Sequence, residues 1–149
     1  FSLLALIFFS ACRSVLVSEE AVADQSGAGV SITSKSTATR AVLANAVVYF
    51  EYDRFNLTSK SIQALKGVSE LMKRNSKITI SIEGHADERG TREYNLALGQ
   101  RRAESVANYL VANGINRNRL FAKSYGEERP LSLGSNDTAW SKNRRVEIK

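Results

Sequence analysis

The feature that most constrains the fold is a seven-residue segment, residues 77–83, in which isoleucines alternate strictly with polar side chains. Successive side chains of a strand point to opposite faces of a sheet, so this alternation predicts a half-buried strand. One face would carry Ile78, Ile80 and Ile82, and the other Thr79, Ser81 and Glu83. A sheet with one apolar face must be covered by another layer of structure, so this strand predicts a layered domain.

Segments of helical periodicity flank this strand. After Ser59, a potential N-cap, apolar residues recur at helical spacing, namely Ile62, Leu65, Val68, Leu71 and Met72. A second helix is predicted from about Tyr94 to Asn113, with Gly114 placed to end it and with inward-facing Leu98, Val106, Ala107 and Leu110.

Three further segments have the composition of strands. Residues 46–50 predict a buried strand, residues 120–125 a third strand, and residues 145–149 a fourth, in which Val146 and Ile148 face inward. The order β-α-β-α-β-β over residues 45–149 predicts an α/β (α+β) sandwich, a small mixed sheet with helices packed on one face.

Composition excludes several classes of protein. Hydrophobic residues at 43% and charged residues at 24% are typical of globular domains. The single cysteine, Cys12, excludes a disulfide framework and a multi-cysteine zinc site, and the single histidine, His85, excludes a histidine-rich metal centre. We expect no cofactor. The net charge of +6 lies within residues 41–149, so the globular part is basic and suits an anionic partner.

Residues 1–11 are almost purely apolar and end in the small pair Ser10-Ala11. Such a run is too short to cross a membrane, which takes about 20 apolar residues, and matches the core of an export signal. Because no methionine or basic region precedes it, we expect this signal peptide to be truncated at its N-terminus. Residues 12–44 are rich in Ser, Thr, Ala and Gly, and residues 13–40 contain no aromatic residue, which predicts a flexible tether.

Cys12 comes directly after the apolar run. Phe9-Ser10-Ala11-Cys12 resembles the lipobox of bacterial lipoproteins, whose cysteine receives a diacylglycerol, although Phe9 replaces the usual aliphatic residue. The resemblance implies a protein anchored by several acyl chains, as stable membrane binding requires. Arg13 follows this cysteine directly. In the sorting pattern of such lipoproteins, an aspartate at this position favours retention in the inner membrane, so Arg13 favours the outer membrane. The alternative is a buried or idle thiol in an ordinary secretory signal.

The turn after the alternating strand is the candidate site. Residues 83–90 (EGHADERG) carry charged side chains between glycines and lead into the second helix. Arg102 would lie about two turns, roughly 12 Å, along that helix, where a returning loop could bring Asp87 beside it. A partly exposed aspartate and arginine side by side suit a zwitterionic amino-acid end, because arginine grips a carboxylate and aspartate accepts from an ammonium. From spacing alone, an ion pair without a ligand is the simpler interpretation.

Five separated segments resemble the OmpA-like domain family, most closely its peptidoglycan-associated lipoproteins. They are residues 49–53, 83–90, 94–103, 124–130 and 141–146, in the family's order and spacing. The resemblance implies the OmpA-like fold and non-covalent binding of the peptidoglycan stem peptide through meso-diaminopimelate. It also implies an outer-membrane protein facing the periplasm, with TolB and other Tol system proteins as partners in envelope integrity and cell division.

The resemblance assigns roles residue by residue. Asp87 matches the aspartate that takes the ammonium, and Arg102 matches the arginine that grips the carboxylate. Asn95 and the stretch Asn143-Arg144-Arg145 match polar residues that border the family's pocket. Asp53 and Phe55 match residues of the opposite wall of that pocket. Ala86 stands where the family often has threonine, which removes one hydroxyl and leaves the assignment of Asp87 intact.

An enzyme is the first alternative. A periplasmic cell-wall hydrolase would use His85 with Glu83 and Asp87 as general acid and base. No serine or cysteine nucleophile lies in a recognisable turn, however, and one histidine with carboxylates is a poor ligand set for zinc. Otherwise His85 is a turn residue that hydrogen-bonds the loop.

Nucleic-acid binding is the second alternative, suggested by Arg101-Arg102 and Arg144-Arg145. Acidic residues alternate with the basic ones, and an exported chain rarely meets nucleic acid. We therefore expect no nucleic-acid partner, and we expect each pair to hold one solvated and one structural arginine, with Arg101 facing solvent.

Overall fold

The computed structural model describes residues 46–149, together with Ala41 and Leu43. Within this part of the chain the elements are β1 (Val47–Tyr49), α1 (Ser59–Arg74), β2 (Ile80–His85), α2 (Arg92–Ala112), β3 (Leu120–Gly126), α3 (Asp137–Asn143) and β4 (Arg145–Ile148). A 3-10 turn, Arg117–Arg119, precedes β3. The expected signal peptide, the lipidated Cys12 and nearly all of the tether lie outside the described residues.

The strands form one mixed sheet in the order β1-β4-β2-β3. β4 runs antiparallel to both of its neighbours, with Val146 opposite Val48 and Ile148 opposite Ile82. β2 and β3 are parallel, because α2 carries the chain back to the edge where β2 began. The predicted α/β sandwich with a small mixed sheet is confirmed.

The apolar core lies between one face of the sheet and the two long helices. The strands contribute Val48, Ile80, Ile82, Val146 and Ile148, and the helices contribute Leu65, Val68, Met72, Val106 and Leu110. Each such side chain stabilises the fold by roughly 1.5–3 kcal/mol relative to an exposed one. The inward orientation predicted for the second helix and the last strand is confirmed. Among the helices described, none combines the length and apolarity needed to cross a bilayer.

The opposite face of the sheet carries charge. Glu83, expected on a polar face, is buried there because the ammonium groups of Lys123 and Lys149 each lie 2.9 Å from its carboxylate. Glu147 on β4 also accepts from Lys149, at 2.9 Å. These ion pairs join β4 to β2 and β3 across the face that the helices leave open.

Several elements differ in detail from the predictions. The cap of α1 is Thr58 instead of Ser59, since the Thr58 side chain accepts from the backbone N–H of Ser61. β2 begins at Ile80, three residues later than its alternating pattern. β1 is an edge strand that exposes Tyr49, so it is not buried throughout.

The predicted order lacks the short helix α3, so the observed order is β-α-β-α-β-α-β. It has only seven residues, too few to show an apolar period, although Asn136 caps it by accepting from the backbone N–H of Ala139. Its position matters because Trp140 on this helix contacts the loop after β2.

A pair of glycines brings α2 close to β2. A Cβ on Gly84 would lie 1.9 Å from the carbonyl oxygen of Gly99, and a Cβ on Gly99 would lie 2.3 Å from the Ser124 hydroxyl. A larger residue at either position would force the helix away from the strand. This close approach holds the first half of α2 against the end of β2, where the candidate site forms.

Candidate functional site

A cleft of about 190 Å³ opens between the loop after β1, the loop after β2 and the first half of α2. It is lined by Tyr52, Asp53, Ala86, Asp87, Arg89, Gly90, Tyr94, Asn95, Leu98 and Arg102. Four residues that the sequence proposed for binding therefore lie together, namely Asp53, Asp87, Asn95 and Arg102.

A hydrogen bond joins the two sides of the cleft mouth. Asp53 has a φ of 54°, a left-handed conformation that aspartate tolerates better than most residues, and its carboxylate accepts from the hydroxyl of Tyr94. Thr91 caps α2 by accepting from the backbone N–H of Tyr94 at 3.2 Å. The cap fixes where α2 begins, so it also fixes the height at which Tyr94 meets Asp53.

Asp87 lines the cleft but is only 4% exposed. Its Oδ1 accepts from the backbone N–H and from Nε of Arg89, both at 3.1 Å, and its Oδ2 accepts from Arg89 Nη2 at 2.7 Å and Arg144 Nη1 at 3.2 Å. Burial alone raises the pKa of Asp87, but the hydrogen bonds from Arg89 and Arg144 outweigh it and hold the pKa below its ordinary value. The carboxylate is therefore ionised at neutral pH and already fully hydrogen-bonded.

Arg102 reaches the cleft from α2 and is completely buried. Its guanidinium donates to the carbonyl oxygens of Arg54 and His85 at 2.8 Å and of Glu51 at 3.1 Å. Burial, followed by the nearby charge of Arg144, lowers its pKa to about 10, so it stays positive at neutral pH. Arg102 thus ties the loop after β1 to the end of β2.

Asp87 and Arg102 line the same cleft, but the expectation that both are partly exposed is wrong. Both are buried, and Asp87 is paired with Arg89 and Arg144 instead. The physical reason is that the helix directs Arg102 at backbone carbonyls of two loops, whereas the turn folds Arg89 back onto Asp87.

Arg89 is the most exposed arginine in the cleft wall, with 31% of its side chain accessible. Its guanidinium lies 4.1 Å from the ring centroid of Tyr52 and 4.1 Å from that of Trp140, distances typical of cation–π contacts. The indole of Trp140 donates to Glu88 at 3.0 Å. Sequence reasoning gave none of these residues a role; the single tryptophan was a signal, but its spacing does not show that α3 reaches this loop.

Asn95 and Asn143, both expected at the pocket border, are buried in different surroundings. Asn95 lines the cleft and donates to Glu127. Asn143 instead accepts from the backbone N–H groups of Leu131 at 2.8 Å and Ser132 at 2.9 Å. It lines a second cleft of about 210 Å³, which shares Ala86 with the first.

Arg144 and Phe55 lie outside the lining of the first cleft. Arg144 contacts Asp87 and donates from Nε to the carbonyl oxygen of Phe50 at 3.0 Å, so it supports the site from the side of β1. Phe55 is 41% exposed, and its ring centroid is 6.0 Å from the guanidinium carbon of Arg101. The structure therefore does not bring Phe55 into the wall with Asp53.

The charges around the cleft are mixed, with a positive excess. Guanidinium groups come from Arg89, Arg102 and Arg144, and carboxylates come from Asp53 and Asp87. A ligand that carries an ammonium as well as carboxylates can satisfy both signs, while a purely cationic ligand meets repulsion. The arrangement suits a zwitterionic or anionic amino-acid end.

His85 does not line this cleft. The ring stacks on Tyr125 with centroids 5.6 Å apart, and neither ring nitrogen has a hydrogen-bond partner among the described residues. Burial, followed by the charge of Arg145, lowers its pKa to about 4. His85 was expected to hydrogen-bond the loop, but its ring makes no hydrogen bond among the described residues, and its backbone carbonyl accepts from Arg102 of α2.

His85 also forms a cluster with two carboxylates, since one ligand atom from each of Glu83, His85 and Glu147 lies within 4.8 Å of the others. The ammonium of Lys149 lies 2.9 Å from both carboxylates. Their remaining oxygens face Lys123 and Arg145. We interpret the cluster as an ion-pair network of the sheet, because a metal ion would have to displace these cations.

The arginine pairs form no basic patch in the described part of the chain. Arg101 faces solvent, as predicted, whereas Arg102, which was expected to be partly exposed, is buried. Arg144 and Arg145 are both structural, because Arg144 holds Asp87 and the buried Arg145 pairs with Glu147. The second pair therefore departs from the expected division into one solvated and one structural side chain.

The sequence is similar to those of a known protein family. The sequence pattern of the OmpA family matches residues 49–144. The peptidoglycan-associated lipoprotein of Pseudomonas putida is 44% identical over 116 residues, which are 78% of this chain and 68% of that protein. That of Pseudomonas aeruginosa is 44% identical over 124 residues, 83% of this chain and 71% of that protein.

A solved structure agrees. The crystal structure of the peptidoglycan-associated lipoprotein from Burkholderia pseudomallei matches with a TM-score of 0.70 and 38% identity, covering 72% of this chain and 91% of that chain. The chain therefore belongs to the OmpA family, as a relative of the peptidoglycan-associated lipoproteins.

Proposed function

We propose that this protein binds peptidoglycan non-covalently, by taking the zwitterionic end of meso-diaminopimelate in the stem peptide into the cleft. The observation that carries the proposal is a cleft in which an ionised aspartate, Asp87, lies among three guanidinium groups. The side-chain end of diaminopimelate carries an amine and a carboxylate, so it offers the cleft one charge of each sign. The names of the related lipoproteins support peptidoglycan as the ligand.

Each charged residue has a role in this proposal. Asp87 accepts from the ammonium, and Asp53 adds a second negative charge at the cleft mouth. Arg102 lies in the cleft lining but is completely buried, with backbone carbonyls on three of its N–H groups, so it attracts the carboxylate through its positive charge. Asn95 borders the pocket as a polar contact, while Asn143 and Arg144 act through the loops and the carboxylate that they hold.

Binding, without catalysis, is the proposed activity. His85 does not line the cleft that holds Asp87, so the two residues are not placed to act on one substrate as acid and base. A histidine whose pKa lies near 4 is also neutral at the pH of the periplasm, which makes it a poor general acid.

Beyond the cleft, we propose a lipid anchor at Cys12, a tether, and a domain that faces the periplasm from the outer membrane. The lipobox-like segment and the relatives' description as lipoproteins support the anchor. TolB and other Tol proteins are the proposed protein partners, on the family resemblance. Together these parts would hold the outer membrane to the cell wall.

Co-sedimentation with purified peptidoglycan sacculi tests the proposal. Wild-type protein should sediment with sacculi, and excess free meso-diaminopimelate should release it. Asp87→Asn should weaken binding about tenfold to a hundredfold, since it removes the counter-charge of the ammonium and keeps the shape of the side chain. Glu70→Gln, which removes one negative charge from the exposed side of α1, is the control and should bind normally. Binding that diaminopimelate does not reduce would contradict the proposed site.

A further inference from the structure

Arg89 occupies the place that a bound ammonium needs. A carboxylate offers about four acceptor positions, and Asp87 already fills four, three of them with donors from Arg89 and one with Arg144. An ammonium can therefore reach Asp87 only if a present donor leaves. The backbone N–H of Arg89 is fixed by the turn, so the donor that leaves must be a guanidinium.

Of the guanidinium groups around the cleft, that of Arg89 is the one free to move. Arg102 is fully buried and bonded to three backbone carbonyls. The side chain of Arg144 is 12% exposed and bonded to the carbonyl of Phe50. The Arg89 side chain is 31% exposed and hydrogen-bonds only to Asp87 among the described residues.

The surroundings of Arg89 keep it close after it leaves Asp87. Tyr52 and Trp140 each contact its guanidinium at 4.1 Å, and these contacts tolerate sliding along the ring better than a two-point hydrogen bond does. Two of its five N–H groups point at Asp87, so the others are available to a second carboxylate. The same side chain can therefore receive the carboxylate of the ligand that displaced it.

We propose that Arg89 determines specificity by exchanging partners: the ligand's ammonium displaces its guanidinium from Asp87, and the released guanidinium binds the carboxylate of the same ligand. This inference rests on the proposed binding of diaminopimelate in the cleft. When a zwitterion binds, the ion pair between Arg89 and Asp87 is lost and two ion pairs to the ligand form, one at each residue. When an amine without the neighbouring carboxylate binds, the same ion pair is lost and only the pair with Asp87 forms. Arg89 is then left without a partner, so the ion pair between Arg89 and Asp87 disfavours binding of such an amine.

Calorimetric titration with two stem tripeptides tests the exchange, one containing meso-diaminopimelate and one containing lysine in its place. Wild type should prefer the diaminopimelate peptide by tenfold or more. Arg89→Gln should bind that peptide about tenfold more weakly, because the carboxylate loses its partner, and should bind the lysine peptide more tightly, because Asp87 is uncovered. The preference should therefore nearly vanish.

Two controls separate specificity from folding and from charge. Arg92→Gln removes the same charge from an exposed arginine that pairs with Glu128, and it should keep the wild-type preference. Arg89→Lys keeps the charge without the two-point fork, and it should retain part of the preference. In wild type, the Arg89 Nε–H signal in a ¹⁵N spectrum should shift when the diaminopimelate peptide is added.

The outcomes distinguish this inference from the proposed function. If wild type prefers diaminopimelate and folded Arg89→Gln prefers it equally, or if the Nε–H signal does not shift, the exchange is wrong while the binding site stands. If wild type binds neither peptide, the proposed function fails and the exchange fails with it.

Discussion

Arg102 shapes the cleft through the backbone. Its guanidinium joins carbonyls of the loop after β1 to the carbonyl of His85 at the end of β2, and it lies 5.3 Å from the ring centroid of Phe50. A buried cation with several strong acceptors stabilises an arrangement that would otherwise leave carbonyls unpaired. The residue that resembles a ligand contact is therefore also a structural one.

Arg102→Met should lower the free energy of unfolding by about 1–3 kcal/mol, because it removes the donor from the carbonyl of the buried His85 and from two carbonyls of the loop after β1. Urea denaturation followed by circular dichroism measures the change. The neighbouring exposed Arg101→Met is the matched control and should change stability by about 0.5 kcal/mol or less. Equal midpoints for Arg102→Met and wild type would contradict the structural role.

His85 should make stability depend on pH. Its pKa is about 4 in the folded protein against 6.5 ordinarily, because burial and Arg145, and to a lesser extent Lys149, disfavour the charged ring, although Glu147 and Glu83 favour it. The unfolded chain therefore binds the proton more readily. The histidine's stabilising contribution is complete above pH 6.5 and is lost as the pH falls towards 4, a loss of roughly 2 kcal/mol between pH 7.5 and pH 5.

His85→Phe keeps a ring against Tyr125 and removes the titration, so the free energy of unfolding should vary less between pH 7.5 and pH 5 than in wild type. Urea titrations at four pH values give the two slopes. Since His85 is the chain's single histidine, its replacement isolates the effect. Equal slopes in the two proteins would show that the ring is not protected from protonation.

At the scale of the elements, the contact of α2 with β2 positions the site. The glycine pair Gly84 and Gly99 lets the helix lie directly on the strand, and the lining residues Asn95, Leu98 and Arg102 come from that part of α2. A change at this contact should therefore alter both stability and the shape of the cleft.

Gly84→Ala should destabilise the domain by about 1–3 kcal/mol, because the new Cβ would lie 1.9 Å from the Gly99 carbonyl oxygen and the backbone must shift. Gly67→Ala, in α1, should stabilise it by roughly 0.5–1 kcal/mol, since its Cβ meets nothing within 4 Å and alanine favours a helix. Thermal unfolding monitored by circular dichroism compares them. Melting temperatures that move in the same direction would contradict the packing of α2 on β2.

The elements that could be predicted are those whose buried apolar side chains recur at a regular spacing along the sequence. The alternation around Ile80 and Ile82 and the spacing of Val106 and Leu110 identify the sheet, the helices and the core face. The end of β2 and the helix α3 could not be predicted. The end of β2 depends on contacts with a loop, and α3 has too few residues to show a helical spacing of apolar side chains.

The site was predictable as a set of residues and not as a set of contacts. The motifs grouped Asp53, Asp87, Asn95 and Arg102, and all four line one cleft. They could not show which cation reaches Asp87, because that depends on the tertiary path of the turn. The partner is Arg89, two residues away in sequence.

At the scale of the whole molecule, the expected lipid anchor at Cys12 predicts how the protein is attached to the membrane. Cys12→Ala should abolish labelling by a fatty-acid probe and release the protein from the membrane fraction, because the lipobox-like cysteine is the expected acylation site. Metabolic labelling and fractionation measure both effects. Asp87→Asn, which leaves the cysteine in place, is the control and should be labelled normally; labelling that survives Cys12→Ala would refute the anchor.

The most direct test of the central claim is a ¹⁵N-edited NMR titration of the protein with the diaminopimelate stem tripeptide. The amide signals of the cleft, including Asp87, Arg89, Gly90 and Asn95, should shift in a saturable way, while those of Phe121 and Lys123 on the charged sheet face should not. Shifts centred on that sheet face, or an unchanged spectrum with peptide in excess, would contradict the account.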